Sequence, residues 1–484
     1  MMKYTGVDIE LFTEGEMDKY DFVEKAKCGG ITMACQRFFK ANNPKCKQFN
    51  MNKPKTWLSY VDANNLYGWA MSQYLPIGNY RWEYDDDYLN YSDNNKKVLS
   101  TILKKKKDDT RGCFVQIKCH FPRETHDYLN DFPPAVENIK VGRNQLSPKQ
   151  EEYLDKMGKT HYTSVPKLIT HLGPRDGYVL HYAELQYYVK LGMVVDEVQK
   201  VLSFDQIPWL EPYISLNSKL RKQAKNDFEK DFFKLMNNSV YGKTMENVRK
   251  HIDVKLLPLR NGKEKDERTL TNYIRKPSFK YARSLGNELI GIHMGKSEVI
   301  LNKPIIVGAA VLGLSKLRMY EFWYDYIKVT YGNKVSLCYM DTDSFIYAAE
   351  TEDIYQDMIN NADHFDFSNY PSDHPLLESL PEDQWMVNNK GERMLKNAGV
   401  IGKFKDECPT YSMSEFYGIR AKLYHYVLEN GNVSSRHKGV SKMGMQNTAN
   451  NMIVPEDKQC DPMTLLYRDC LFEGKEVYAK NVDF

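Results

Sequence analysis

The chain has 484 residues, 42% of them hydrophobic and 27% charged, with a formal net charge of +3 at pH 7. That length excludes one ordinary core and predicts two to four lobes, while the composition is ordinary for a soluble protein. A charge so near balance neither requires nor excludes nucleic acid, so the distribution of charge has to be read along the chain.

The opening MMKYTGVDIELF lacks a basic stretch followed by an apolar core, so no signal peptide is expected. No uncharged apolar run reaches about 18 residues, and no membrane span is expected. Nine cysteines occur without a CxxC pair and read as reduced thiols of an intracellular protein that is not secreted. Cys113, Cys119 and His120 leave a metal site open beside the plainer reading of a hairpin's side chains. In TWLSYVDANNLYGWAM, 56–71, a strand through WLSYVD turns at the asparagines. Residues 80–180 mix strand-like runs such as CFVQIKCHF with loops such as DFPPAVEN, and read as an insertion rather than as core.

Residues 210–247 carry a strong helical pattern. Taken as one helix, 219–242 places Leu220, Ala224, Phe228, Phe232 and Leu235 in an apolar stripe. Lys230, Lys234 and Tyr241 then fall within roughly 40° of one another on the far side. Between Lys219 and Lys250 there are nine basic residues against four acidic ones. HIDVKLL reads as a short strand and RNGKEKDER as a charged surface hairpin. GAAVLGLSKLRMYEFWYDYIKV, 308–329, reads as a long buried helix that leads through YGN into the strand LCYMDTDSFIY. YGIRAKLYHYVLENGNVSS, 417–435, predicts a strand and a hairpin with Asn-Gly at its turn, and the last fifty residues are polar and mixed.

Two aspartates in an apolar, aromatic strand call for a physical reason. Asp341 and Asp343 either share one strand face or straddle a tight turn. Carboxylates that close raise each other's pKa unless a cation lies between them. The local sequence leaves a metal site and a hydrogen-bonded turn both open. Asp62, at the end of another apolar strand, adds a third carboxylate. Strand-end acids of this kind suit two divalent cations and phosphoryl or nucleotidyl transfer. Lysines at helical spacing can grip a triphosphate, and an aromatic beyond them can stack on a base.

Taken together, these segments resemble the polymerase motifs of family B DNA polymerases, in order. DANNLYG, 62–68, resembles the first motif; KLMNNSVYG, 234–242, fits Kx3NSxYG; YMDTDS, 339–344, fits YxDTDS. KLY, 422–424, fits the KxY element, and KCGGI, 27–31, is similar to the YxGG loop, with Lys27 where the pattern has tyrosine. The wording DANNLYGWAM and NNSVYGKTMEN resembles the protein-primed branch, particularly polymerases of Maverick/Polinton-type elements and related viruses and linear plasmids. The reverse-transcriptase alternative fits less well, since its palm strand carries adjacent aspartates. An inactive nucleic-acid-binding remnant of a mobile element is the alternative outside catalysis.

The resemblance implies an α+β, right-hand architecture with an antiparallel-sheet palm, helical fingers and a small thumb. Its parts would be a first palm segment with the linker at 1–75, an insertion at 76–205, fingers at 206–247, a second insertion at 248–300, a second palm segment at 301–410 and a thumb at 411–484. Asp62, Asp341 and Asp343 would be catalytic, with Asp62, Asp343 and the Ala63 carbonyl holding two Mg²⁺ ions (or Mn²⁺). Tyr67 would lie under the incoming sugar; Lys234, with Lys222 and Lys230, would bind the triphosphate; Asn238, Tyr241 and Gly242 would line the nascent base pair. Gly29, Gly30, Tyr339, Lys422 and Tyr424 would face the primer and template. Implied partners are primer–template DNA, dNTPs and a terminal protein, with a monomeric chain in the host nucleus or at a viral replication site. Asn65 and Gly68 depart from the commoner SLYP wording. The family's proofreading exonuclease would precede KCGGI, so the resemblance covers the polymerase half alone.

Overall fold

The computed structural model describes residues 1–158, 162, 165–260, 263–296, 298–388, 391–454 and 460–478. Nine strands form its central antiparallel sheet: β1 (Thr32–Ala34), β2 (Phe38–Lys40), β3 (Thr56–Ala63), β4 (Val335–Asp341), β5 (Ser344–Glu350), β6 (Phe404–Asp406), β7 (Met413–Arg420), β8 (Leu423–Leu428) and β9 (Val433–His437). Their order is β1-β4-β5-β3-β7-β8-β9, with β6 also paired to β3 and β2 to β7. The chain therefore adopts the expected α+β class with an antiparallel sheet.

Alternation along the central strands explains why they are apolar on both faces. On β5, Phe345 and Tyr347 join the principal core, whereas Ile346 and Ala348 join a second cluster with Leu58, Tyr339, Phe416 and Tyr424. The principal core is closed by the helix that the sequence predicts over 308–329. It runs as α-helix over Ile305–Glu321, widens into a π-helical segment over Phe322–Ile327, and ends in Lys328–Tyr331. Within the widened part Phe322 stacks on Phe404 of β6, ring centroids 3.6 Å apart.

Residues 80–180 do not stand outside the core. Leu75–Trp82, Val194–Ile207, Arg111–His120 and Arg175–His181 form a four-stranded antiparallel sheet in that order. Its Phe114, Val115 and Leu180, with Tyr188 of the adjoining helix, belong to the principal core. The apolar strand runs there are long enough to bury, and the charged loops between them hid that.

The helical segment over 210–247 also differs from expectation. It is two helices, α1 (Glu211–Lys222) and α2 (Asp227–Thr244). Asn226 breaks the run: its side chain accepts a hydrogen bond from the Glu229 amide at 2.9 Å, the competition by which asparagine favours a helix start over a helix interior. The expected stripe is not buried either, since Phe228 is 79% and Leu235 63% exposed. The face of α2 that packs inward carries Asn237, Val240 and Thr244.

HIDVKLL contributes the strand Asp253–Pro258 to a separate three-stranded sheet. In place of the hairpin over RNGKEKDER the chain forms a helix, Glu264–Ile274, with three acids in its first turn. Asn261 and Gly262 of that expected hairpin lie outside the described residues. The hairpin over 417–435 forms as β7 to β9, whereas the polar end holds two helices, Lys442–Asn450 and Pro462–Phe472. All nine cysteines are free. Burial pushes the Cys113 and Cys119 thiols up to about 12, and His120 pairs with Asp196 at 3.0 Å, so the three do not gather as metal ligands. Among the described residues no helix is long and apolar enough to cross a membrane.

Candidate active site

β3 ends on Asp62 and Ala63, and in the antiparallel register Ser344 of β5 faces Asp62. The Ala63 amide donates to the Asp343 carbonyl at 2.8 Å, so the two aspartates sit at the same end of neighbouring strands. Asp341 and Asp343 straddle the turn rather than share a face. β4 stops at Asp341 and Thr342 takes φ 61°, the left-handed region that a β-branched residue rarely adopts. The Thr342 amide donates to the Ile31 carbonyl at 2.7 Å, which ties the KCGGI loop to the turn. A Cβ on Gly30 would come within 2.6 Å of the Thr342 side chain, so only glycine fits that approach. Gly30→Ala should cost about 1–3 kcal/mol of unfolding free energy in urea titrations, the usual penalty of overpacking.

Asp62, Ala63, Asp343, Tyr67, Lys222, Lys230, Lys234 and Asn238 line one cavity of about 510 Å³. Tyr241 reaches it through Tyr67: the two rings stack with centroids 4.4 Å apart and planes 10° apart. Gly242 is not among the lining residues, and a Cβ there would meet nothing within 4 Å. The motif's departures turn out to be coupled. Asn65, at φ 42°, accepts from the Gly68 amide at 3.2 Å and starts the helix Leu66–Met71. A Cβ on residue 68 would collide with that same Asn65 side chain.

The remaining sites gather on the other side of the turn. Asp341, expected as a third catalytic carboxylate, is absent from the cavity lining; both its oxygens accept from Lys422 Nζ, at 2.8 and 2.9 Å, and Oδ1 also accepts from Thr32 Oγ1 at 2.8 Å. The cation that two close carboxylates demand is, for this one, a lysine. Tyr339 and Tyr424 were expected to face the primer. They are instead 1% and 4% exposed, with tilted rings 4.6 Å apart. The Tyr339 hydroxyl accepts from the Lys422 amide at 2.8 Å, so this tyrosine positions Lys422. Gly29 is exposed and has open space around it.

Sequence reading missed three charged residues of the cavity, Arg221, Lys405 and Glu407. Lys405 lies opposite Asp62 in the β6–β3 register and pairs with Glu407 at 3.0 Å. The DxD spacing and the KxxxN pattern are recognisable in sequence, and a lone KDE on a short strand carries no comparable signal. Arg221 belongs to the basic run but stands outside the motif.

The electrostatics follow from burial. Desolvation pushes Asp62 up to about 7, with repulsion from Asp343 and then Glu407 adding to it, against Lys405 and Lys234. Asp343 is raised too, by burial first and then by Asp341 and Glu407. Five cationic side chains (Arg221, Lys222, Lys230, Lys234, Lys405) face three carboxylates, so the cavity holds positive charge in excess. Lys222 donates to the Ala398 carbonyl at 2.7 Å and Lys230 pairs with Asp227 at 3.0 Å. Among the described residues Arg221 and Lys234 have no ion-pair partner, which leaves them the cations free for an anionic ligand.

Among the described residues no group of three or more His, Cys, Asp or Glu side chains is placed to hold a metal ion. Two acids at adjacent strand ends, each raised first by burial and then by neighbouring carboxylates, nonetheless suit Mg²⁺, which is usually bound by one or two carboxylates with substrate phosphates completing its shell.

No protein family matches the chain. No curated protein matches it either. Among solved structures it is similar to an orthorhombic crystal form of Phi29 DNA polymerase, with TM-score 0.47 and 15% identity over 92% of this chain and 59% of that one. It is similar also to Phi29 DNA polymerase complexed with primer-template DNA and incoming nucleotide substrates, with TM-score 0.46 and 15% identity over 94% of this chain and 60% of that one. The complex of the same polymerase with single-stranded DNA gives TM-score 0.47 and 14% identity over 94% of this chain and 59% of that one. The chain thus spans 59–60% of the length of these structures.

Proposed function

We propose that the chain is a template-directed DNA polymerase that adds dNTPs to a primer 3′-hydroxyl by two-metal nucleotidyl transfer. One observation supports this above the others: Asp62 and Asp343, at adjacent strand ends, share a cavity with the unpaired cations Arg221 and Lys234. Acids beside an excess of cations suit a ligand that brings both phosphate and metal. In this reading the nine-stranded sheet is a palm, α1 and α2 are fingers, and the helices Lys442–Asn450 and Pro462–Phe472 belong to a thumb that starts later than the expected 411, because β7 to β9 pair into the palm sheet.

Asp62, Asp343 and the Ala63 carbonyl would hold Mg²⁺, which supplies charge neutralisation for the triphosphate and a lower pKa for the attacking hydroxyl. The chain's own side chains do the rest. Lys234 and Arg221 bind the triphosphate oxygens. Tyr67, stacked on Tyr241, offers the ring edge against which a sugar is gauged, and a 2′-hydroxyl would meet that ring. Lys422 keeps Asp341 neutralised. The 3′-hydroxyl loses its proton to solvent as its oxygen forms a bond to the α-phosphorus, the bond to the bridging oxygen breaks, and pyrophosphate leaves. The protein-primed branch, a terminal protein as first hydroxyl donor, and replication of a viral or Maverick/Polinton-type linear DNA extend the same proposal, on the wording of DANNLYGWAM and NNSVYGKTMEN.

Purified chain given primed DNA, primed RNA, dNTPs and Mg²⁺ tests it. Extension on the DNA template that vanishes in Asp343→Ala is the expected outcome. Binding without extension would favour the remnant reading, and preference for the RNA template a reverse transcriptase.

A further inference from the structure

One buried acid lies behind the cavity and none of the motifs contains it. Asp366, 3% exposed, follows Phe365, which bridges to Phe404 of β6. Its Oδ2 accepts from Asn64 Nδ2 at 2.6 Å and from the Gly399 amide at 2.8 Å, while Oδ1 accepts from the Ser368 amide at 2.9 Å. Three donors converge on two oxygens. Only a carboxylate meets all of them, since an amide presents one acceptor and a donor in place of the other.

What these donors belong to gives the acid its importance. Asn64 follows Asp62 and Ala63 directly and precedes the turn that carries Tyr67. Gly399 lines the opposite wall, in a loop whose Ala398 carbonyl accepts from Lys222. The same loop is tied to Asn64 three times more: the Gly402 amide donates to the Asn64 carbonyl at 2.7 Å, the Asn64 amide donates to the Lys403 carbonyl at 2.8 Å, and Asn64 Nδ2 donates also to the Val400 carbonyl at 3.3 Å. Gly399 takes φ +63°, and a Cβ there would come within 2.8 Å of Lys222 Cε, so the loop and the lysine-bearing helix are in close contact.

We propose that Asp366 is a positioning residue that clamps the Asn64 turn to the Gly399 loop and so fixes the Ala63 carbonyl and Tyr67 against the wall where the nucleotide sits. The ligand part of this rests on the polymerase reading; the clamp itself does not. A clamp of this kind acts on placement of the substrate, and a displacement near 1 Å is enough to change rates strongly.

The test uses Asp366→Asn in the full chain, with Asn64→Ala as the second variant should the first fold poorly. Hydrogen–deuterium exchange of peptides covering 397–403 reads the clamp without any substrate, and faster exchange of the Gly399 region in either variant is expected. Single-nucleotide extension then reads positioning: the KM for dNTP should rise about ten-fold with kcat changed less, and exclusion of ribonucleotides at Tyr67 should weaken. Exchange unchanged from the wild type overturns the clamp. Faster exchange with KM and ribonucleotide exclusion both intact overturns the positioning role. If the wild-type chain itself extends no primer, the polymerase reading fails, the positioning role falls with it, and the exchange result alone decides the clamp.

Discussion

Asp62→Asn and Asp343→Asn should each reduce primer extension by about three orders of magnitude while making the metal-free protein more stable at pH 8 than the wild type. The two effects share a cause. Burial and repulsion from Asp343 and Glu407 hold the Asp62 carboxyl at about 7 instead of the usual carboxylate range. A folded-state value above the unfolded one means that the folded protein binds the proton more tightly. The stabilisation is therefore fully present at low pH, declines as the pH rises through the interval toward 7, and is lost above it. For a coupled, mostly buried carboxyl this amounts to something on the order of 2 kcal/mol. Chemical unfolding from pH 4 to pH 8 without divalent ions, wild type against Asp62→Asn, isolates the term, because every other titrating group is common to both chains. The difference should widen with pH in favour of the variant. Mg²⁺ added at pH 8 should then raise the stability of the wild type, as binding to the folded state alone requires, and leave Asp62→Asn little changed. A pH-independent difference would remove the repulsion argument, and with it the reason for placing a cation there.

How far the sequence reveals this site depends on what each residue's pattern encodes. Asp62 and Asp343 were legible because an acid ending an apolar strand breaks the alternation its neighbours obey. Lys234 was legible because helical spacing carries it onto the side away from the apolar stripe. The same spacing misled for Phe228 and Leu235, which are exposed, because periodicity identifies a face but not what covers it. The helix break at Asn226 was missed since a cap and an interior asparagine look alike until the side chain's partner is known. Lys405, Glu407 and Asp366 reach the site through tertiary pairing between segments far apart in the chain, and no local pattern marks them, whereas Arg221 lies in the basic run beside Lys222 but outside the motif. Asp341 shows where spacing alone stops short, for it lies outside the cavity lining. Its spacing from Asp343 suggested a shared metal, but a turn with a left-handed threonine aims it at Lys422, about eighty residues onward.

Lys422→Ala should lower primer extension by about 100-fold while costing under about 1 kcal/mol of stability. The pair it breaks is partly exposed, 40% at the lysine and 24% at Asp341, so solvent already screens much of its attraction. Its effect on the site is larger because Asp341 lies near enough to raise the Asp343 carboxyl, and Lys422 opposes that. Without the ammonium group an uncompensated charge remains beside Asp343, the proton is held still more tightly there, and the half-maximal Mg²⁺ concentration should rise. Lys422 is itself at φ 61°, anchored through its amide to the Tyr339 hydroxyl, so the chain spends backbone strain to bring this side chain to Asp341. The double variant Lys422→Ala/Asp341→Asn separates electrostatics from any contact the lysine makes with a DNA strand. Removing the second charge should recover about ten-fold of the lost extension and return the Mg²⁺ requirement toward the wild-type value, a coupling read directly from the double-mutant cycle. If the double variant is no better than the single one, Lys422 acts on the DNA alone, and the salt bridge to Asp341 is incidental to catalysis.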